Sequence, residues 1–135
     1  MSEKENFNLV FELYGYQCKF EHIVLYGHYI DIERQNEIKT DLIRVCDLAK
    51  QIVENSGAYN LFIRRVADEL RDYVQRVHFS KSNCEKQTVN GETLYVIPHD
   101  FLMNVVIRVV LIGDYIEHFN DDRYDRNNII SIDEE

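Results

Sequence analysis

The chain is predicted to be mainly α, a four-helix-type bundle with one β-hairpin at about 86–97 before the last helix. Three observations carry this. Residues 35–55 and 59–79 place apolar side chains at the three-and-four spacing of helices with one buried face. Residues Thr88 to Ile97 read T-V-N-G-E-T-L-Y-V-I, where Asn90-Gly91 can take the positive φ angles of a tight hairpin turn. The run from Phe101 to Phe119 is the most apolar stretch and follows the only proline, Pro98. At 135 residues the chain is one domain by size. A single compact helical domain is expected over 1–119, followed by an acidic C-terminal tail, 120–135.

The N-terminal third supports two readings. Phe7, Val10, Phe11, Tyr14, Cys18, Leu25, Tyr29 and Ile32 stand at helical spacing, which predicts a long helix with these residues as its stripe. Tyr16 to Glu21 also alternates polar and apolar, as a strand does. The alternative is therefore an α+β fold with N-terminal strands within 7–32. Gly15 and Gly27 fit either turns or tolerated helix positions.

The middle of the chain is clearer. In 35–55, Ile38, Leu42, Val45, Cys46, Ala49, Ile52 and Val53 share one face, and Asn55-Ser56-Gly57 supplies a stop with Gly57 suited to a left-handed cap. In 59–79, Tyr59, Phe62, Ile63, Val66, Leu70, Tyr73, Val74 and Val77 form the stripe. Arg64–Asp68, Arg65–Glu69 and Asp72–Arg76 stand at i,i+4 on its outer side. The final helix is expected over about 99–119, with Pro98 at its start and Asp100 in its first turn. Its β-branched run, Val105 to Val110, also fits a buried strand, but its length favours a helix. Asn104, Arg108, Asp114, Glu117 and His118 interrupt it. Ionised groups at a bilayer centre cost roughly 2.5–3.5 kcal/mol each for Arg or Asp, so a core helix is expected and not a membrane span.

Charge and cysteine usage narrow the function classes. Net charge is −9, with acidic ends and a balanced middle. Binding to a nucleic-acid backbone or an anionic membrane needs clustered Lys and Arg, so neither is expected. A protein partner with a basic surface is favoured, and a nucleic-acid-mimicking inhibitor of a nucleic-acid-binding protein is an alternative. Cys18, Cys46 and Cys84 are odd in number and form no C-x-x-C, which points to a reducing, intracellular setting, cytoplasmic or nuclear. The start, M-S-E-K-E-N-F-N, is not that of a secretory leader.

Catalytic and metal signals are sparse. Of the five histidines, His22, His28, His78, His99 and His118, no two share i,i+3 or i,i+4 spacing. Asp114 and His118 do, but two such residues on one helix are common, so no metal or other cofactor is expected. There is no G-x-S-x-G, Walker-type or dinucleotide glycine motif, and Cys46 falls on an apolar helix face. Arg71 and His78 stand as R-D-Y-V-Q-R-V-H. This resembles the Arg-x(4–6)-His pattern of HEPN-type ribonucleases, small helical domains that cleave RNA without a metal. That resemblance implies His78 as general acid or base and Arg71 as stabiliser of phosphorane charge, both on one helical face. The bland alternative is a solvated face ending in a histidine that favours the helix dipole.

The tail carries a binding signal. Ile129, Ile130, Ser131, Ile132, Asp133, Glu134 and Glu135 form a β-branched cluster followed by three acids. The segment resembles a SUMO-interacting motif, which adds as a strand to a partner's sheet edge while its acids meet basic residues. The expectation is a non-enzymatic interaction module: an adaptor, inhibitor or assembly subunit. A homodimer is also expected, since apolar residues on three or four helices can exceed what one core needs.

Overall fold

The computed structural model describes residues 3–55 and 61–119, with side chains described over 6–55 and 61–117. The expected cap at Gly57, Tyr59 of the following stripe and the tail 120–135 lie outside the described residues. Four helices form: α1 (Glu3–Leu25), α2 (Gln35–Asn55), α3 (Leu61–Arg76) and α4 (His99–Phe119). A two-stranded antiparallel hairpin, β1 (Glu85–Val89) and β2 (Glu92–Val96), precedes α4. The fold is the expected mainly α bundle with one hairpin, and α1 removes the α+β alternative. Among the described residues no helix is long and apolar enough to cross a membrane.

Side-chain pairs between helices give the topology. Glu12 pairs with Arg44 and Lys19 with Asp41, so α1 and α2 run antiparallel. Lys50–Asp68 and Asp47–Arg71 do the same for α2 and α3. The ring pairs Phe62–Tyr115 and Tyr73–Phe101 set α3 antiparallel to α4. Gly113 of α4 faces Gln17 of α1, and α4 closes the bundle against α1. The chain therefore runs up, down, up, down.

The core follows the apolar pattern of α2, where Ile38, Leu42, Val45, Cys46, Leu48, Ala49, Ile52 and Val53 are all buried. Ile63, Ala67, Leu70 and Val74 meet them from α3, and Phe101, Leu102, Val105, Val109, Ile112 and Ile116 from α4. Each fully buried large aliphatic or aromatic side chain contributes about 1.5–3 kcal/mol. The β-branched run of α4 thus forms a helix, because its length lets one face pack along the whole bundle.

The expected stripe of α1 is corrected. Phe7 is 67% exposed, Phe11 72% and Leu25 76%. The buried face is instead Leu13 and Phe20, with Leu9, Tyr16, Ile23 and Val24 packed against the core; of the expected stripe, Val10 and Ile32 do pack there. These residues also recur at helical spacing. The helix is apolar on two opposite faces, and the spacing alone does not choose between them.

The expected helix over 59–79 ends at Arg76, with Val77 N–H making a last bond to the Tyr73 carbonyl. Asp68 bonds to Lys50 of α2, and Asp72–Arg76 forms within α3 as expected. Beyond α3 the chain turns under the start of α2. The buried Gln35 amide accepts from Phe79 N–H at 2.8 Å and donates to the Phe79 carbonyl at 2.7 Å and the Ile32 carbonyl at 2.9 Å. Lys39 reaches the Val77 carbonyl beside it.

The hairpin has the anticipated turn. Asn90 and Gly91 take φ of 53° and 81°, and Val89 faces Glu92 across two turn residues. It is tied to the bundle by Ile97 N–H to the Ile30 carbonyl at 2.8 Å and a single bridge between Asp31 and Val96. Pro98 stands just before α4, where its carbonyl accepts from Leu102, and the Glu85 carboxylate accepts from His99 N–H at 3.0 Å. A carboxylate at a helix N-terminus also favours the helix dipole.

Two predictions follow from these contacts. Gln35→Leu leaves the buried backbone groups of Phe79 unpaired, so urea unfolding should show a loss of about 2–4 kcal/mol. An unchanged midpoint would mean that water satisfies both groups. Hydrogen bonds from Arg44 hold the Glu12 carboxyl below the usual range, and those from Arg34 do so for Glu37. Their contribution is present above the unfolded carboxylate pKa of about 4.3 and is lost as pH falls through the lowered native value. The midpoint should hold from pH 7 to about 5 and drop below about 4.3, with a shallower drop in Glu12→Gln. Identical acid limbs would remove the Glu12–Arg44 pair from the account.

Candidate interaction surface

On α1, Phe7, Phe11, Tyr14, Cys18 and Leu25 recur at alternating steps of four and three, the spacing of a helix seam. This seam lies opposite the buried Leu13–Phe20 face, away from the core. Phe7 and Phe11 stack on each other with centroids 6.5 Å apart. Tyr14 sits toward α4, where burial first, and then the charges of Glu117 and Asp114, push its phenol pKa up. Glu21 occupies the seam position between Cys18 and Leu25 and is exposed.

The C-terminus of α1 extends this face. Gly27 takes φ of 63°, and His28 N–H bonds to the Ile23 carbonyl while Gly27 N–H bonds to the Val24 carbonyl. This is a left-handed helix cap, which reverses the chain in two residues. It leaves Tyr26 65% and Tyr29 57% exposed beside Leu25. His22 lies against Tyr26, one turn on, with ring centroids 4.5 Å apart and the rings tilted, and the reversal brings His28 within 5.1 Å of His22.

Alongside the seam runs an open groove of about 610 Å³, bounded by Gly15, Cys18, His22, His28, Tyr29 and Arg34. Its cations are engaged, since Lys19 on its wall pairs with Asp41 and Arg34 pairs with Glu37. Aromatic rings and one thiol line an accessible depression, which suits an apolar or aromatic side chain rather than a strongly charged ligand. The two histidines are six residues apart, outside any helical pairing, so their proximity was not legible from spacing. The signal available was Gly27, which fits either a turn or a tolerated helix position.

The other candidate residues are dispersed. Arg71 pairs with Asp47 of α2. His78 lies beyond the last residue of α3, exposed, with its carbonyl held by the Asn83 amide at 2.8 Å. The expectation that Arg71 and His78 share a helical face is thereby corrected, because the Gln35–Phe79 contact turns the chain away before His78. Ile129, Ile130, Ile132, Asp133, Glu134 and Glu135 lie outside the described residues, as does the side chain of His118. Among the described residues no cluster of three or more His, Cys, Asp or Glu could hold a metal ion.

The cysteines differ in reactivity. Cys46 is fully buried, and burial pushes its thiol up to about 12, so it stays protonated, whereas Cys18 is exposed. Alkylation of the native protein at pH 8 should mark Cys18 within minutes and Cys46 only on unfolding. Equal rates by peptide mass analysis would contradict the packing of α2. No family model, curated protein or solved structure shows a significant match to this chain.

Proposed function

We propose that this chain is a non-enzymatic protein–protein interaction module, an adaptor, inhibitor or assembly subunit of an intracellular complex. The observation that carries this is the outer face of α1. Five large apolar side chains, Phe7, Phe11, Leu25, Tyr26 and Tyr29, are each more than half exposed along one helix and its cap. Single exposed apolar residues are ordinary, whereas an extended run of aromatic and aliphatic side chains marks a contact surface. The fold does not need them, because α1 already buries its opposite face.

The C-terminal segment is a second binding element in this proposal. Ile129, Ile130 and Ile132 would supply apolar contacts, and Asp133, Glu134 and Glu135 would meet a basic surface on a partner. The odd cysteine count supports the intracellular setting.

The test compares three immobilised proteins in native-source lysate: the full chain, the chain ending at Arg126, and Phe7→Glu/Phe11→Glu. Both phenylalanines are exposed, so the double variant should keep its melting curve, with a stability change within about 0.5 kcal/mol. A stoichiometric protein held by the full chain, held more weakly by the chain ending at Arg126 and lost from Phe7→Glu/Phe11→Glu is the expected result. Retention by all three would remove α1 from the interface, and loss on truncation alone would assign binding to the tail.

A further inference from the structure

We infer that the outer face of α1 is a self-association surface, on which a second copy of this chain lays its own α1 antiparallel. This rests on the interaction-module reading and names the partner.

The seam has helix-pairing spacing, from Phe7 through Phe11, Tyr14 and Cys18 to Leu25, over about 27 Å of helix. A second helix is the shape that follows such a line. In an antiparallel pair with this spacing, Leu25 faces Phe7 of the second copy, Cys18 faces Tyr14, and Glu21 faces Phe11. The Phe7–Phe11 stack of each copy then lies toward the α1 C-terminus of the other, where Leu25, Tyr26 and Tyr29 are exposed, and neither end is left bare. A parallel pair would instead set Glu21 against its own counterpart, a like-charge contact in the seam.

Gly15 supplies an independent observation. It stands in the middle of a 23-residue helix, where glycine is unfavourable relative to alanine. Nothing in the fold lies within 4 Å of where its Cβ would be, so no internal neighbour demands it. Gly113 contrasts with it, since its missing Cβ makes room for the Gln17 side chain. Gly15 borders the groove near the midpoint between Phe7 and Leu25, where two crossing helices approach most closely.

The area is sufficient. At their exposures the five apolar side chains offer roughly 140 Å² each, so two copies can bury up to roughly 1,400 Å² through them, within the range of specific interfaces. The seam contains a single acid, Glu21. The flanking Glu12 and Lys19 are already paired with α2, so the like charge that each copy brings to the contact is that of Glu21 and of Asp114 and Glu117 beside Tyr14, which salt screens.

The test is sedimentation of the full chain from 1 to 100 µM, with two variants and one cross-link. The wild type should be a concentration-dependent dimer. Phe11→Glu should weaken it about 30-fold or more. Gly15→Leu should weaken it comparably, while its circular dichroism melt at dilute, monomeric concentration stays level or rises, because the single fold has room for the side chain. Tyr14→Cys should form an intermolecular disulfide with the native Cys18 on mild oxidation. A monomer at every concentration, a dimer untouched by both variants, or a Cys18–Cys18 disulfide in the unsubstituted chain would overturn the inference. If the chain is monomeric yet holds a different protein that Phe7→Glu/Phe11→Glu releases, the module reading stands and self-association falls. If both assays are blank, both fall.

Discussion

The bundle is organised around one buried side-chain amide. Gln35 opens α2 and holds both backbone groups of Phe79, a residue 44 positions later, together with the Ile32 carbonyl. A buried peptide group left unpaired costs about 1–3 kcal/mol, so the chain after α3 has one satisfactory position, against the start of α2. That position places the Phe79 ring edge-on to Phe101 at 4.9 Å and brings the hairpin to where Ile97 bonds to Ile30. Glu85 then reaches the first turn of α4. The loop after α1, the start of α2, the exit from α3 and the entry to α4 therefore meet at one end of the bundle.

This arrangement determines which face of α1 is left over. With α2 beside it through Glu12–Arg44 and Lys19–Asp41, and α4 packed close at Gly113, α1 turns Leu13 and Phe20 inward. Its other apolar side leaves Phe7, Phe11 and Leu25 exposed, with Tyr14 at its edge toward α4. The cap at Gly27 extends that side with Tyr26 and Tyr29 and folds His28 back toward His22. A helix that is apolar on two faces is suited to joining two bodies: one face holds the domain together and the other is available to a partner.

The regular elements were legible in the chain because their signals are local. The stripe of α2 from Ile38 to Val53, the Asn90-Gly91 turn and the length of the run after Pro98 each depend on residues a few positions apart. The mainly α class and the position of the hairpin before the last helix follow from them. The acidic balance and the absence of recognisable catalytic glycine or nucleophile motifs were likewise open to direct reading.

Which face of α1 is core was decided only by the tertiary structure. Phe7, Phe11 and Leu25 are as apolar as Leu13 and Phe20 and equally periodic, and only the placement of α2 and α4 distinguishes the two sets. The end of α3 was decided the same way, since Val77 and His78 continue a helical pattern that the Gln35–Phe79 contact interrupts. The His22–His28 pair and the groove beside Cys18 arise from a chain reversal, which brings together residues whose separation matches no helical or strand period. Local periodicity thus specified the helices and the hairpin, while long-range hydrogen bonds and helix packing chose the faces, and with them the surface this protein presents.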